Sequence, residues 1–169
     1  MLKKLGRIVI DVTENDLDLE ALLQSPYTYE EGLVKIIEDG ELSQAFSFTD
    51  VLEKEGFAVI KIEGLEKLNV KLFMTCNEIA KAFGHQGPVT CHLFKSPVGG
   101  ISFPMHTDPD DVLIFMVKGN KIFKHDHGTV LLKEGEVLSI PRNNNHQAEN
   151  IEDTIMLSFG LERFISEKL

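Results

Sequence analysis

The sequence predicts a mainly β protein with additional helices, in which the second half of the chain forms an antiparallel β-barrel. Up to Gly84, apolar residues recur at helical spacing; after Gly84, short apolar segments alternate with turns rich in Gly, Pro, Asn and Asp. Strands that recur about every 8 to 12 residues are typical of a β-sandwich or barrel. We therefore expect one domain over residues 1–169, with a mostly helical wrap and edge strands at 1–84 and a β-barrel core at 85–163.

The first half is expected to begin with a strand over residues 1–11 and to continue mainly as helices. Thr13 and Asn15 are capping residue types ahead of a leucine-rich segment, and Gly40 and Gly84 are suited to end later helices. The predicted segments are a helix containing Leu17, Leu19, Leu22 and Leu23; a helix containing Tyr29, Leu33, Ile36 and Ile37; a helix at 49–56; an edge strand at 57–62; and a helix at 66–83.

The second half is expected to consist of short strands, because its apolar segments are too short for helices and end at turn residues. The predicted strands are 89–94, 101–106, 112–117, 121–125, 129–132, 137–140 and 155–159.

Composition and charge exclude several classes of protein. With 169 residues, 43% of them hydrophobic and 26% charged, the chain is predicted to be globular rather than disordered or fibrous. Seventeen Lys and Arg against 27 Asp and Glu give a net charge of −10, which argues against nucleic acid and anionic membranes as partners. The apolar segments are far shorter than the roughly 20 residues of a membrane span.

The two cysteines, Cys76 and Cys91, have neither the spacing of a metal site nor that of a disulfide framework. Each lies among apolar neighbours, where a buried free thiol is the ordinary expectation. A reducing, cytoplasmic compartment fits this use of cysteine.

The residues that indicate chemistry are His106, Asp108 and His146. On a strand, alternate side chains share a face, so His106 and Asp108 are expected to point the same way and to reach one metal ion. His146, from a neighbouring strand, would complete two imidazoles and one carboxylate, a set that leaves coordination positions open on Fe(II). Exposed loop residues, or a hydrogen-bonded His/Asp pair, are the alternative explanation for these residues.

The segment around His146 strengthens the metal interpretation. Gly135, Pro141, His146 and Asn150 have the spacing of glycine, five residues, Pro-x-Gly, two residues, His, three residues, Asn. This pattern resembles the second motif of the cupin family, with Asn143 in place of the family's central glycine. Asparagine tolerates positive φ better than most residues, so the replacement is acceptable.

The segment around His106 resembles the first cupin motif, with five residues between Gly100 and His106 and with Asp108 in place of the usual second histidine. The sequence Pro-x-His-x-Asp, an apolar strand and then Gly-x-Lys is similar to the JmjC-type and related cupin-like oxygenases that use Fe(II) and 2-oxoglutarate. The resemblance covers about residues 89–161 and implies a double-stranded β-helix, or jelly-roll, barrel.

In that family the lysine after the glycine pairs with the distal carboxylate of 2-oxoglutarate, and Lys121 is the matching residue. A buried carboxylate requires a cation or strong hydrogen-bond donors. The family often adds a tyrosine hydroxyl, but no tyrosine follows Tyr29, so Thr90, His92 or Ser158 would have to take that role. Lys121 as an exposed strand-end lysine is the alternative.

Three further features have simpler explanations. The sequence His125-Asp126-His127 precedes Gly128 and is expected to be an exposed hairpin tip. Asp108, Asp110 and Asp111 lack the glycine and glutamate of an EF-hand loop. His92 either lines the barrel or lies in the core with its hydrogen bonds satisfied. No glycine-rich phosphate loop, Gly-x-Ser-x-Gly elbow or Cys/His nucleophile pair is present in the sequence.

Together these features predict an Fe(II)- and 2-oxoglutarate-dependent oxygenase that hydroxylates a small molecule or a peptide side chain. His106, Asp108 and His146 would hold the iron; Lys121, Thr90 and Ser158 would bind the cosubstrate. An apolar cavity is expected from Phe103, Phe115, Met116 and Ile140. The alternatives are a metal cupin with another activity, such as a 2-oxoglutarate-independent dioxygenase or an isomerase, and a non-catalytic ligand-binding cupin. The resemblance is also compatible with a homodimer.

Overall fold

Two antiparallel sheets form most of the computed structural model, which describes residues 1–6, 8 and 10–167. The strands are β1 (Lys3–Lys4), β2 (Val34–Glu38), β3 (Glu41–Gln44), β4 (Val59–Ile62), β5 (Val89–Ser96), β6 (Asp111–Lys118), β7 (Lys121–His125), β8 (Gly128–Leu132), β9 (Val137–Ile140), β10 (His146–Glu149) and β11 (Thr154–Leu161). The larger sheet has the strand order β1-β9-β6-β11-β5-β4-β2-β3, and the smaller one the order β10-β7-β8. This is the mainly β architecture with helices that the sequence predicts.

The helices belong almost entirely to the first half of the chain. They are α1 (Glu14–Leu17), α2 (Leu19–Gln24), α3 (Pro26–Glu30), α4 (Phe48–Lys54) and α5 (Val70–Phe83), with 3₁₀ turns at Leu65–Lys67 and Ile165–Glu167. Thr13 caps α1 in a capping box with Asp16, and Gly84 ends α5 with φ 61°, as the sequence indicates. In the described part of the chain, every helix is too short or too polar to cross a membrane.

The larger sheet separates two hydrophobic clusters, because successive side chains on a strand point to opposite faces. On β6, Leu113 and Phe115 pack toward the helices, whereas Ile114 and Met116 face the smaller sheet. Phe115 therefore does not line the predicted cavity, which lies on the other face. The interior between the two sheets is the space in which the candidate site lies.

The second helix predicted from the apolar stripe is wrong over most of its length. Tyr29 lies in α3, but Ile36 and Ile37 lie in β2, which pairs with both β3 and β4. Gly32, with φ 68°, follows α3, and the β-branched residues after it favour an extended chain. Gly40 belongs to the turn of the β2–β3 hairpin rather than to a helix end.

Three strand predictions also need correction. The strand predicted at 57–62 is β4, but it lies between β5 and β2 and is not at the edge of the sheet. Residues 101–106 form no strand beyond an isolated bridge at His106, and the polar strand β10 was not predicted. In the predicted strand at 1–11, only β1 is extended in a sheet; Arg7 and Val9 lie outside the described residues.

Candidate metal centre and its cavity

His106, Asp108 and His146 come together at one end of the space between the sheets. His146 begins β10, and its backbone exchanges two hydrogen bonds with His106, at 3.1 and 2.9 Å. The carbonyl of Asp108 accepts a hydrogen bond from the backbone N–H of Asn143 at 2.9 Å, which ties the two metal-ligand segments together. Backbone pairing, rather than one continuous strand through His106 and Asp108, positions the three side chains.

The orientation of both imidazole rings suits metal binding. Nδ1 of His106 lies 2.7 Å from the carbonyl oxygen of Pro104, and Nδ1 of His146 lies 3.0 Å from that of Asn144. Each Nδ1–H thus donates to a backbone carbonyl, which leaves the lone pair on Nε2 for a metal. The potential ligand atoms of the two histidines and Asp108 all lie within 4.8 Å of one another. Two neutral imidazoles and one carboxylate fit a divalent first-row metal with open positions.

A hydrogen bond also couples the charges of Asp108 and His146. Asp108 Oδ2 is 3.2 Å from His146 Nε2, and this hydrogen bond lowers the pKa of Asp108 despite its partial burial. Burial alone would lower the pKa of His146, but the hydrogen bonds to Asp108 and Asn144 outweigh it and raise that pKa. A metal ion at this position would replace the shared proton with a larger positive charge.

The motif residues around the ligands have the structural roles that their types suggest. Asn143, in place of the motif's glycine, has φ 62°, a conformation in which asparagine is tolerated. The side-chain amide of Asn150 donates to the carbonyl of Gly100 at 2.6 Å, so the two sequence motifs are joined by a hydrogen bond. These contacts fix the turn that leads into His146.

Arg163 holds the segment after Asp108, a contact that sequence reasoning missed. Its Nη2 donates to the carbonyl of Pro109 at 2.7 Å, and its Nε lies 3.3 Å from Oδ1 of the buried Asp110. Arg163 is 55 positions from Asp108 in the sequence and matches no motif, so only the fold connects them. Asp110 pairs with Arg163, and Asp111 accepts a hydrogen bond from the backbone of Arg142, so neither is arranged as a calcium ligand.

The candidate metal ligands line a cavity of about 330 Å³ between the sheets. Its wall includes the predicted cosubstrate residues Lys121, Thr90 and Ser158, and also His92, Phe103 and Ile140. Met116 is buried in the apolar cluster beside the cavity but is not part of its lining. The structure thus brings all six predicted site residues to one space.

Lys121 is the most unusual residue of this cavity. It is only 1% exposed, and its Nζ donates to the hydroxyl of Ser96 at 3.2 Å. Among the described residues no carboxylate lies within ion-pair distance of this amine, and burial lowers its pKa to about 7. The hydroxyl beside Lys121 is therefore that of Ser96, a residue the sequence prediction did not include, whereas Thr90 donates to Glu162 at 3.2 Å.

His125 ends β7, is half-buried and pairs with His146 in the smaller sheet, whereas Asp126 and His127 form the tip of the β7–β8 hairpin. Asp126 and His127 are exposed, and Asp126 accepts hydrogen bonds from the side chain of Asn145 at 3.2 and 3.3 Å. The exposed tip predicted from the sequence is therefore confirmed for Asp126 and His127, but the prediction is wrong for His125, which is a paired strand residue.

Comparison with known proteins supports the same fold. Residues 92–160 match the family model described as a cupin domain. YcfD, a ribosomal oxygenase from Escherichia coli, superimposes in its complex with cobalt and 2-oxoglutarate with a TM-score of 0.71 at 14% sequence identity. Its complex with cobalt and succinic acid gives a TM-score of 0.68, also at 14% identity. The chain has a cupin fold.

Both superpositions cover 99% of this chain but 49% of the YcfD chain, so the protein spans about half the length of these structures. At this level of identity the similarity establishes the fold. No curated protein sequence matches the chain.

Proposed function

We propose that this protein is an Fe(II)- and 2-oxoglutarate-dependent oxygenase that hydroxylates a small molecule or a peptide side chain. One observation carries the proposal: a single cavity contains a two-histidine, one-carboxylate cluster together with a buried lysine that has no carboxylate partner among the described residues. A metal cluster alone would suit many cupin activities. The added lysine indicates a second ligand that brings its own negative charge.

In this proposal His106, Asp108 and His146 would hold the iron at the wall of the cavity. When bound, iron with 2-oxoglutarate supplies the oxidising chemistry, in which dioxygen is reduced as the cosubstrate is converted to succinate and carbon dioxide. The protein contributes the geometry of the three ligands and the hydrogen bonds that fix both histidine tautomers. Ile140 and Phe103 exclude water from part of the same space.

Lys121 would bind the distal carboxylate of 2-oxoglutarate, with the hydroxyl of Ser96 fixing the position of its amine. A buried ammonium without a counter-charge is costly, and an incoming carboxylate removes that cost. Thr90 and Ser158 line the same cavity and would orient the cosubstrate by their hydroxyl groups. Cobalt and 2-oxoglutarate in YcfD, which shares the fold, support this assignment.

The test is an anaerobic titration of the metal-free protein with Fe(II) and 2-oxoglutarate, followed by absorption spectroscopy. Wild-type protein should develop the visible charge-transfer band of 2-oxoglutarate chelated to Fe(II). Asp108→Ala should abolish the band, and Lys121→Met should shift the titration to higher 2-oxoglutarate concentrations. His127→Ala, at the exposed hairpin tip, is the matched control and should behave as wild type.

A wild-type protein that gives no band and is indistinguishable from Asp108→Ala would refute the proposal. If metal binds but 2-oxoglutarate neither binds nor yields succinate, the protein is a metal cupin of another activity. Absence of transition-metal binding would indicate a non-catalytic ligand-binding cupin.

A further inference from the structure

One wall of the candidate cavity presents two side-chain donors that have no hydrogen-bond acceptor in the described part of the chain. Lys61 of β4 and His92 of β5 lie on adjacent strands and both line the cavity. Because side chains alternate along a strand, the neighbouring Ile60 and Ile62 point to the opposite face and pack in the helix-side core. The two polar residues are therefore directed toward the cavity by the same alternation that builds the core.

Lys61 carries a positive charge that the structure only partly compensates. Its side chain is 14% exposed, and its Nζ lies 3.7 Å from Oε2 of Glu63, too far for a hydrogen bond. The same carboxylate is 3.8 Å from Lys35, so two ammonium groups share one acid. Nζ of Lys61 also lies 5.5 Å from the ring centroid of Phe94, which lines the cavity. Among the described residues, the side-chain ammonium of Lys61 has no hydrogen-bond acceptor within 3.5 Å.

His92 contributes a second donor. Its Nδ1 accepts a hydrogen bond from the backbone N–H of Gly64 at 3.2 Å, so the ring proton is on Nε2. Burial, assisted by the charge of Lys61, lowers the pKa of His92 to about 4, so the ring is neutral at physiological pH. Lys61 and His92 line the same cavity as the candidate metal ligands His106, Asp108 and His146, so both donors face the space next to the metal centre.

We propose that Lys61 and His92 form the recognition site for a carboxylate group of the primary substrate, beside the metal centre. This inference rests on the proposed function, in which Lys121 is already occupied by the cosubstrate. An ammonium and an N–H donor on one wall match the two oxygens of a carboxylate. A neutral group would leave the charge of Lys61 uncompensated, and a cationic group would be repelled by it.

The experiment uses cobalt(II)-loaded protein saturated with 2-oxoglutarate, in which oxidation does not interfere. Benzoate is the anionic probe and benzamide its neutral isostere, and binding is measured by the broadening of their proton NMR signals by cobalt. Benzoate should be broadened far more than benzamide. Lys61→Met should weaken benzoate binding roughly tenfold, the effect of losing one charge-assisted hydrogen bond. Lys35→Met is the control: Lys35 is near the same Glu63 but does not line the cavity, so benzoate binding should not change.

The cobalt affinity, the 2-oxoglutarate affinity and the thermal midpoint are measured for each variant, and all three should match the wild type. Equal broadening by benzoate and benzamide, or equal benzoate affinity in wild type and Lys61→Met, would overturn the inference. If cobalt or 2-oxoglutarate does not bind the wild type, the proposed function is wrong. Carboxylate binding by Lys61 and His92 is then tested in the metal-free protein from benzoate-induced shifts of the β4 and β5 amide NMR signals. Shifts that occur in the wild type and are lost in Lys61→Met support the inference, whereas a wild type without such shifts refutes it.

Discussion

Replacing Lys121 with methionine should remove a pH-dependent component of the stability of the folded protein. Burial lowers the pKa of this lysine from 10.5 to about 7. Between these two values the unfolded chain binds a proton that the folded protein does not. Since stability rises with pH wherever the unfolded state binds more protons, Lys121 makes the wild type more stable as the pH rises through this window. Below about pH 7 the full penalty of a buried charge is present.

The magnitude follows from the same two pKa values. One pKa unit corresponds to about 1.4 kcal/mol. Integrated from about pH 7.5 to about pH 9.5, the difference in bound protons gives the wild type about 2 kcal/mol of additional stability. Methionine does not titrate and fills a similar volume. The stability gained by replacing Lys121 with Met should therefore be largest below about pH 7. This gain should shrink by about 2 kcal/mol between about pH 7.5 and about pH 9.5.

The assay is urea unfolding of the metal-free protein, followed by circular dichroism at several pH values across this range. Lys124→Met is the matched control, because Lys124 is on the same strand but is exposed and paired with Glu149. Comparison with wild type at each pH cancels the titration of all other groups. Parallel stability curves for wild type and Lys121→Met would show that the lysine is not held in a dry site, and the reasoning about its charge would fail.

Two further predictions concern the segments around the site. Arg163→Met should weaken cobalt(II) binding by roughly tenfold, because the segment after Asp108 loses its hydrogen bonds to Arg163 and the Asp108 carboxylate becomes less well fixed. Titration calorimetry measures the cobalt(II) affinity, with the exposed Arg142→Met as the control. Equal cobalt(II) affinities of Arg163→Met and wild type would contradict the prediction. Gly119→Ala and Gly84→Ala both place alanine at positive φ, about 1 kcal/mol of strain. A Cβ at 119 would also lie 2.6 Å from the carbonyl of Asp153, whereas nothing lies within 4 Å at 84. Thermal unfolding should show that Gly119→Ala lowers the free energy of unfolding by about 2 kcal/mol more than Gly84→Ala does. Equal decreases in the two variants would rule out the contact with Asp153.

Much of the candidate site could be predicted because its signals are local. The spacing from Gly135 to Asn150 and the Pro-x-His-x-Asp segment are short patterns, each with its own backbone requirement. Asn143 at positive φ shows that one such requirement is met even where the residue differs from the family's glycine. The cytoplasmic location and the homodimer stay predictions.

The errors have a common cause, which is that pairing between distant segments decides what a local pattern leaves ambiguous. The apolar residues of 34–38 suit either a helix stripe or a buried strand, and pairing with β4 selects the strand. The polar segment at 146–149 has no strand pattern of its own and is extended because it pairs with β7. Phe115 was expected in the cavity because it is apolar, but the face to which it points depends on the register of β6 in the sheet.

The sequence by itself determined which residues form the candidate metal site, the positions of its turns and the mainly β character of the second half, because these depend on residue types at short spacing. Only the tertiary structure decided that Ser96 is the partner of Lys121, that Arg163 holds the segment after Asp108, and that Lys61 faces the cavity. The contacts of Lys121 with Ser96 and of Arg163 with Pro109 join residues 25 or more positions apart along the chain. Their distances are set by strand order and register, which a linear pattern of residues does not contain.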